Sequence, residues 1–166
     1  SGASRRAAQS AALAAKEDRS AEKYARMVAK ARAYNRKLTD HAQVIGERLE
    51  DDGTIDGDFG FKSDKEYQNL LDFGDGIMAS VEIPSIGVDL PVRHGADAYA
   101  LDNGLGHLHG TSLPVGGKNT HSVITGHTGV ADKALFTRLN ELRKGDVFYV
   151  RVAAQTLDAL DLGRLY

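Results

Sequence analysis

No cysteine occurs among the 166 residues. That absence excludes disulfides, thiolate metal sites and a thiol nucleophile from this stretch of chain. Basic charge is not in excess either. The net charge is −2, with 21 Lys and Arg against 23 Asp and Glu, so no global positive field points to nucleic acid. The interleaved aromatics that stack bases are missing as well. No run of about 18 apolar residues is present to span a bilayer. The Gly-x-Ser-x-Gly elbow of serine hydrolases does not occur. Gly116-Gly117-Lys118-Asn119 fails as a phosphate loop, because Ser112 stands where its first glycine should be and Asn119 where Ser or Thr would hold magnesium. What is left, at 42% hydrophobic content, reads as one ordinary domain long enough to bury a core.

The chain divides into three parts. Residues 1–16 are rich in Ala and Ser, and read as a frayed helix or a disordered lead. Residues 17–75 hold N-terminal helices and a glycine-rich acidic loop. Tyr24, Met27, Val28, Ala31, Tyr34 and Leu38 recur at intervals of three and four, the spacing of one helix face, while Lys23, Arg26, Lys30, Arg36 and Lys37 take the other side. Two readings fit that basic side: a solvated surface, or a face lying near anionic lipid headgroups. A second apolar-periodic piece, Val44-Ile45 with Leu49, ends at the acidic run Glu50-Asp51-Asp52. Asp52-Gly53-Thr54-Ile55-Asp56 has the look of a calcium loop, but that register puts Arg48 at the first ligand position and Phe59 at the last, so two essential oxygen donors are lost. Ser63 with Glu66 three residues on predicts a capping box for a short helix.

Residues 76–166 read as short strands separated by turns. Ile77 to Ile83, a Pro84-Ser85 turn and Gly87 to Val92 suggest a sheet curling into a barrel, with a helical turn at 98–102. Ser122-Val123-Ile124-Thr125 is β-branched and alternating, and runs into Gly126-His127-Thr128-Gly129. His127 therefore stands at a strand's exit, where glycines let its imidazole face a cleft. A helical spacing follows over 134–142, then a Lys144-Gly145-Asp146 turn and a strand from Val147.

Thr125-Gly126-His127-Thr128-Gly129, with Leu135-Phe136, Leu139 and Lys144 to Tyr149 after it, resembles the histidine segment of the sortases, the cysteine transpeptidases of Gram-positive cell surfaces. Val81 to Val88, Leu90 to Gly95 and Gly106 to Gly117 agree, and are closest to the pilin-polymerising subgroup, class C. The resemblance implies a mainly β fold, a closed antiparallel β-barrel incomplete at the C-terminus here, with N-terminal helices and a lid loop. It also implies cleavage of a Leu-Pro-x-Thr-Gly-like sorting signal and transfer of the acyl group to a lysine amine of a pilin subunit. Such proteins need a thiolate, a histidine and an arginine; only His127 has a counterpart, and the Leu-x-Thr-Cys strand and later arginine of the family lie beyond the matching residues. Neither Arg151 nor Arg164 sits in a matching motif. The chain is thus expected to be an incomplete, inactive form of the enzyme, the alternative being a non-catalytic interaction module of the same fold. An unpaired barrel edge is the further expectation.

In the subgroup a lid carries an Asp-Pro-aromatic motif over the active site. Asp58-Phe59 is the nearest match and lacks the proline; Asp56 and Phe61 compete for the two roles, and a mobile acidic loop is the plainer alternative. The resemblance implies no cofactor, pilin partners bearing sorting signals, and membrane anchoring of the full-length protein at the outer face of the cell. His107-x-His109, with His121 and His127, is a candidate metal cluster, but the glycines around it argue for a loop, and no metal is expected. His41 and His94 read as polar surface residues.

Overall fold

The computed structural model describes residues 2–40, 47–49, 55–57, 60–128, 137–152 and 155–157. Helix α1 runs unbroken over Gly2–Asp40, about 58 Å at 1.5 Å per residue. Its backbone passes residue 16 without a break. Alanine is the strongest helix former, and no Gly or Pro interrupts residues 3–40. Residues 2–13 are exposed on every side; burial deepens only toward the C-terminal part, where Ala31 and Tyr34 enter the core and Met27, Val28 and Leu38 flank it.

Strands β1 (Glu47–Leu49) and β2 (Ile55–Gly57) form a two-stranded antiparallel pair. A 3₁₀ turn at Gly60–Lys62 leads into α2 (Lys65–Asn69). The cap of α2 is Asp64, not Ser63. Asp64 Oδ1 accepts the Tyr67 N–H at 3.0 Å, a carboxylate being at least as good a cap as a hydroxyl. Ser63 instead donates to the Gly60 carbonyl, and Glu66 pairs with Lys37 of α1.

The main sheet begins with β3 (Ile77–Ile83) and β4 (Val88–His94), antiparallel across a tight Pro84–Ile86 turn that Gly87 closes at φ +67°. Helix α3 (Ala98–Asp102) carries the chain back, so β5 (Leu105–His107) lies parallel to β4. That pair departs from an all-antiparallel barrel, because a helical crossover returns the chain in its original direction. Strand β6 (Ile124–Thr125) pairs antiparallel with β5; β7 (Tyr149–Val152) joins the other side of β3 and β8 (Gln155–Leu157) joins β7. The order is β6-β5-β4-β3-β7-β8, and among the described residues the sheet does not close.

Alternation sorts the faces. Met78, Val81, Ile83, Val92, Leu105, Val150 and Val152 are buried, and Tyr67, Leu71, Leu113 and Val115 complete the core. The strand expected over 122–125 shrinks to two residues, since Ser112 N–H donates to the His121 carbonyl and Leu108 N–H to that of Val123. A loop, not a neighbouring strand, satisfies that backbone. Of the helix expected over 134–142, residues 134–136 lie outside the described residues, and 139–141 form a single 3₁₀ turn.

Candidate active site

His127 lies two residues beyond β6, the terminal strand of the sheet, and its side chain is only 17% exposed. Its Nε2 faces Asp102 Oδ1 at 3.8 Å. Asp102 is the last residue of α3, just before the start of β5, and is about half exposed. The outer edge of β6 has no strand partner among the described residues. A largely enclosed imidazole with a carboxylate near Nε2, just beyond a strand whose outer edge is unpaired among the described residues, can exchange protons with a group brought beside it.

Beneath β6 lies a buried polar core. His107 is fully buried in β5. Its Nε2–H donates to the Ser112 carbonyl at 2.8 Å and its Nδ1 accepts from the Tyr67 hydroxyl at 2.7 Å, while that hydroxyl accepts the Gly95 N–H at 3.1 Å. Burial pushes the His107 pKa down to about 4; the charges of His94 and His109 add to this, and the bond to the Ser112 carbonyl opposes it. The ring is therefore a neutral, tautomer-locked strut. Thr111 Oγ1 receives the Val123 N–H and Ser112 Oγ the His121 N–H, so the same loop carries the segment that leads to His127. Asn35 of α1 grips this loop from behind, its Nδ2 donating to the Leu113 carbonyl at 3.0 Å and its Oδ1 accepting the Leu113 N–H at 2.7 Å. The Ser122 hydroxyl is buried and has no hydrogen-bond partner among the described residues.

The histidines do not act as one group. His109 Nε2 meets Asp64 Oδ2 at 2.9 Å, a separate partner from those of the His107 nitrogens, although both rings pack on Tyr67. Burial raises the Asp64 carboxyl, but the bonds from His109 and the Tyr67 amide outweigh it and hold the pKa below the usual range. His94, read from sequence as a surface residue, is buried edge-on against Tyr67 with its ring nitrogens facing the carbonyls of Gly76 and Leu70 at 2.8 and 2.5 Å. The β4 alternation that carries Val92 inward continues into a fully enclosed corner there. Among the described residues no group of three or more ligating side chains could hold a metal ion. Asp58, Phe59 and His41 lie outside the described residues. Phe61, the competing aromatic, is buried in the core against Gly95, where an added Cβ would come within 2.5 Å of the ring. Arg151 pairs with Glu82 across β7 and β3 and lies over the Tyr149 ring.

Sequence reasoning missed Asn35, Tyr67 and Asp102. Asn35 had a signal, a polar residue one turn after Ala31 on an apolar face. Asp102 had none, since its approach to His127 depends on strand pairing.

A sortase domain family model matches residues 81–158. Sortase C-1 from Actinomyces oris superposes with a TM-score of 0.66 at 43% identity, covering 81% of this chain and 71% of that one. The chain belongs to the sortase family. A second neighbour of this sortase is the Group B Streptococcus Pilus Island 1 sortase C2, with a TM-score of 0.61 and 38% identity over 81% of this chain and 69% of that one. Both neighbours are class C sortases. Sortase D of Bacillus subtilis (strain 168) is 38% identical over 66 residues, 40% of this sortase and 30% of the relative's length. The mainly β sheet with helices before it is the architecture of these neighbours.

Proposed function

We propose that the protein carrying this sequence is a class C transpeptidase that cuts a Leu-Pro-x-Thr-Gly-like sorting signal and joins pilin subunits through a lysine amine. The observation that carries this reading is His127 at the exit of β6, beside a strand edge that is open among the described residues. A thiol-bearing strand added along that edge would bring its sulfur beside the ring. A thiol of pKa about 8.5 is mostly protonated at neutral pH, and a neighbouring imidazole both favours thiolate and protonates the leaving amine. His127 is the residue assigned to that work. The chain holds no cysteine and neither Arg151 nor Arg164 sits in a matching motif, so this reading assigns the sulfur and the arginine that steadies the developing oxyanion to sequence outside these 166 residues.

Asp58 and Phe59 are proposed as the lid. Gly57, the last residue of β2, and Gly60, the first of the 3₁₀ turn, flank the pair and ease its opening. The same reading places the protein at the outer face of a Gram-positive cell membrane, with an anchor outside these residues and the basic side of α1 toward the headgroups. Among the described residues no helix is long and apolar enough to cross a membrane.

The test is transpeptidation of a sorting-signal peptide onto an amine. The 166-residue chain alone should give no product. The protein extended along its own reading frame should give an amine-dependent product and contain a Leu-x-Thr-Cys strand. A reading frame without a cysteine, or His127-dependent acyl transfer by the 166 residues alone, would sink the reading; the former would favour a non-catalytic module binding through the β6 edge.

A further inference from the structure

Strand register brings His127 to one corner of the fold. Strands β5 and β6 pair with Gly106 opposite Thr125 and His107 opposite Ile124. Continued outward, that antiparallel register sets His127 opposite Gly104, two residues after the end of α3. The corner is fixed from several directions. Asp97 Oδ1 accepts the Ala100 N–H at 3.0 Å and caps the start of α3. At the other end the Asn103 N–H closes on the carbonyls of Tyr99 and Ala100. The buried Arg93 donates from Nη1 to the Asn103 carbonyl at 3.3 Å, and its Nε and Nη2 hold the carbonyl and carboxylate of Asp75 at 3.1 and 2.8 Å. Gly104 adopts φ +149°, and a Cβ there would lie 2.6 Å from the Pro91 carbonyl oxygen, so neither its backbone nor a substituent can shift freely. Asp102 is thus carried on a short helix pinned at both ends, with its carboxylate 3.8 Å from the His127 ring.

We propose that Asp102 is a positioning residue for His127: its carboxylate orients the imidazole toward the open edge of β6 and balances the ring's charge while it holds the proton taken from the thiol. The inference rests on the proton-transfer reading of His127. A carboxylate at this distance and partial exposure is neither fully screened nor fully desolvated, and its influence on the rate should be about 3- to 10-fold.

The test uses the protein extended along its reading frame, with Asp102→Asn, Asp102→Ala, Asp102→Glu and His127→Ala variants. Asp102→Asn keeps the shape of a half-exposed side chain and removes only its charge. The Asn and Ala variants should lower kcat about 3- to 10-fold with KM for the sorting peptide unchanged, and Asp102→Glu should recover most of the rate. Raising salt to about 1 M should narrow the gap between parent and Asp102→Asn, since the interaction is screened. An unchanged kcat in Asp102→Asn, a loss confined to KM, or an Asp102→Glu variant as slow as Asp102→Asn would overturn the assignment. If His127→Ala loses at least about 100-fold while Asp102→Asn equals the parent, only the role of Asp102 fails. If His127→Ala also equals the parent, the proton-transfer reading fails and takes this one with it.

Discussion

Acid should destabilise this domain through His107, and the size of the effect follows from the ring's surroundings. The folded imidazole stays neutral down to about pH 4, while in the unfolded chain it takes a proton near 6.5. Between those values the unfolded state binds more protons, so stability is full above about pH 6.5 and is lost as the pH falls toward 4. Below that both states are protonated and the loss stops growing. At 1.36 kcal/mol per pH unit the whole window is worth about 3 kcal/mol, a large share of a small domain's 5–15 kcal/mol. Asp64 acts in a separate range: its lowered pKa gives stability above the ordinary Asp value of 3.8 and withdraws it only on further acidification. Urea unfolding followed by circular dichroism at about pH 7 and about pH 4.5 measures the loss. Comparison with His107→Gln isolates it, because an amide can accept from Tyr67 and donate to Ser112 but does not titrate. The parent should lose about 2–3 kcal/mol more than the variant across this range. Equal losses in the two proteins would refute the reasoning, since the ring would then have to take its proton without breaking the network.

Other consequences are smaller in scope. Asn35→Ala leaves the Leu113 amide without its acceptor and removes one of two donors to the Leu113 carbonyl, which keeps the Val115 N–H, and should cost about 1–3 kcal/mol in chemical denaturation; Asn35→Asp should be no more stable than Asn35→Ala at neutral pH, because it sets a buried carboxylate against that carbonyl. Tyr67→Phe deletes the hydroxyl shared by His107 and Gly95, and should lower stability by about 1–3 kcal/mol, with earlier amide exchange at Gly95 as the local sign. Gly95→Ala meets both a φ of +76° and the Phe61 ring at 2.5 Å, so it should destabilise by more than about 2 kcal/mol; Gly87→Ala, with a similar φ and open space around it, should cost about 1 kcal/mol.

The elements built from local pattern were legible in the sequence. The β3–β4 hairpin follows from alternation around Pro84, the α3 turn falls at 98–102 as its residues suggest, and the buried stripe of α1 follows its three-and-four spacing. What was not legible depends on partners far along the chain. The parallel β4–β5 pair needs the α3 crossover, and β6 is short because loop 108–112 takes over the hydrogen bonds of residues 121–123. Within the candidate site, the position of His127 at a strand exit could be read from Ile124-Thr125-Gly126, a local signal. The network beneath it could not: Asn35 and Leu113 are 78 residues apart and Tyr67 and His107 are 40 apart. His94 was misread because a histidine beside a turn glycine looks the same in sequence whether its ring is solvated or enclosed.

The central claim is that the His127 imidazole exchanges a proton with a sulfur brought alongside β6. The measurement that tests it most directly is kcat/KM for acyl transfer from a sorting-signal peptide by the thiol-bearing protein, with and without His127→Ala. The account predicts a fall of about 10²- to 10⁴-fold on losing the ring. A variant that keeps its rate within about threefold of the parent, well below what positioned proton transfer contributes, would contradict it.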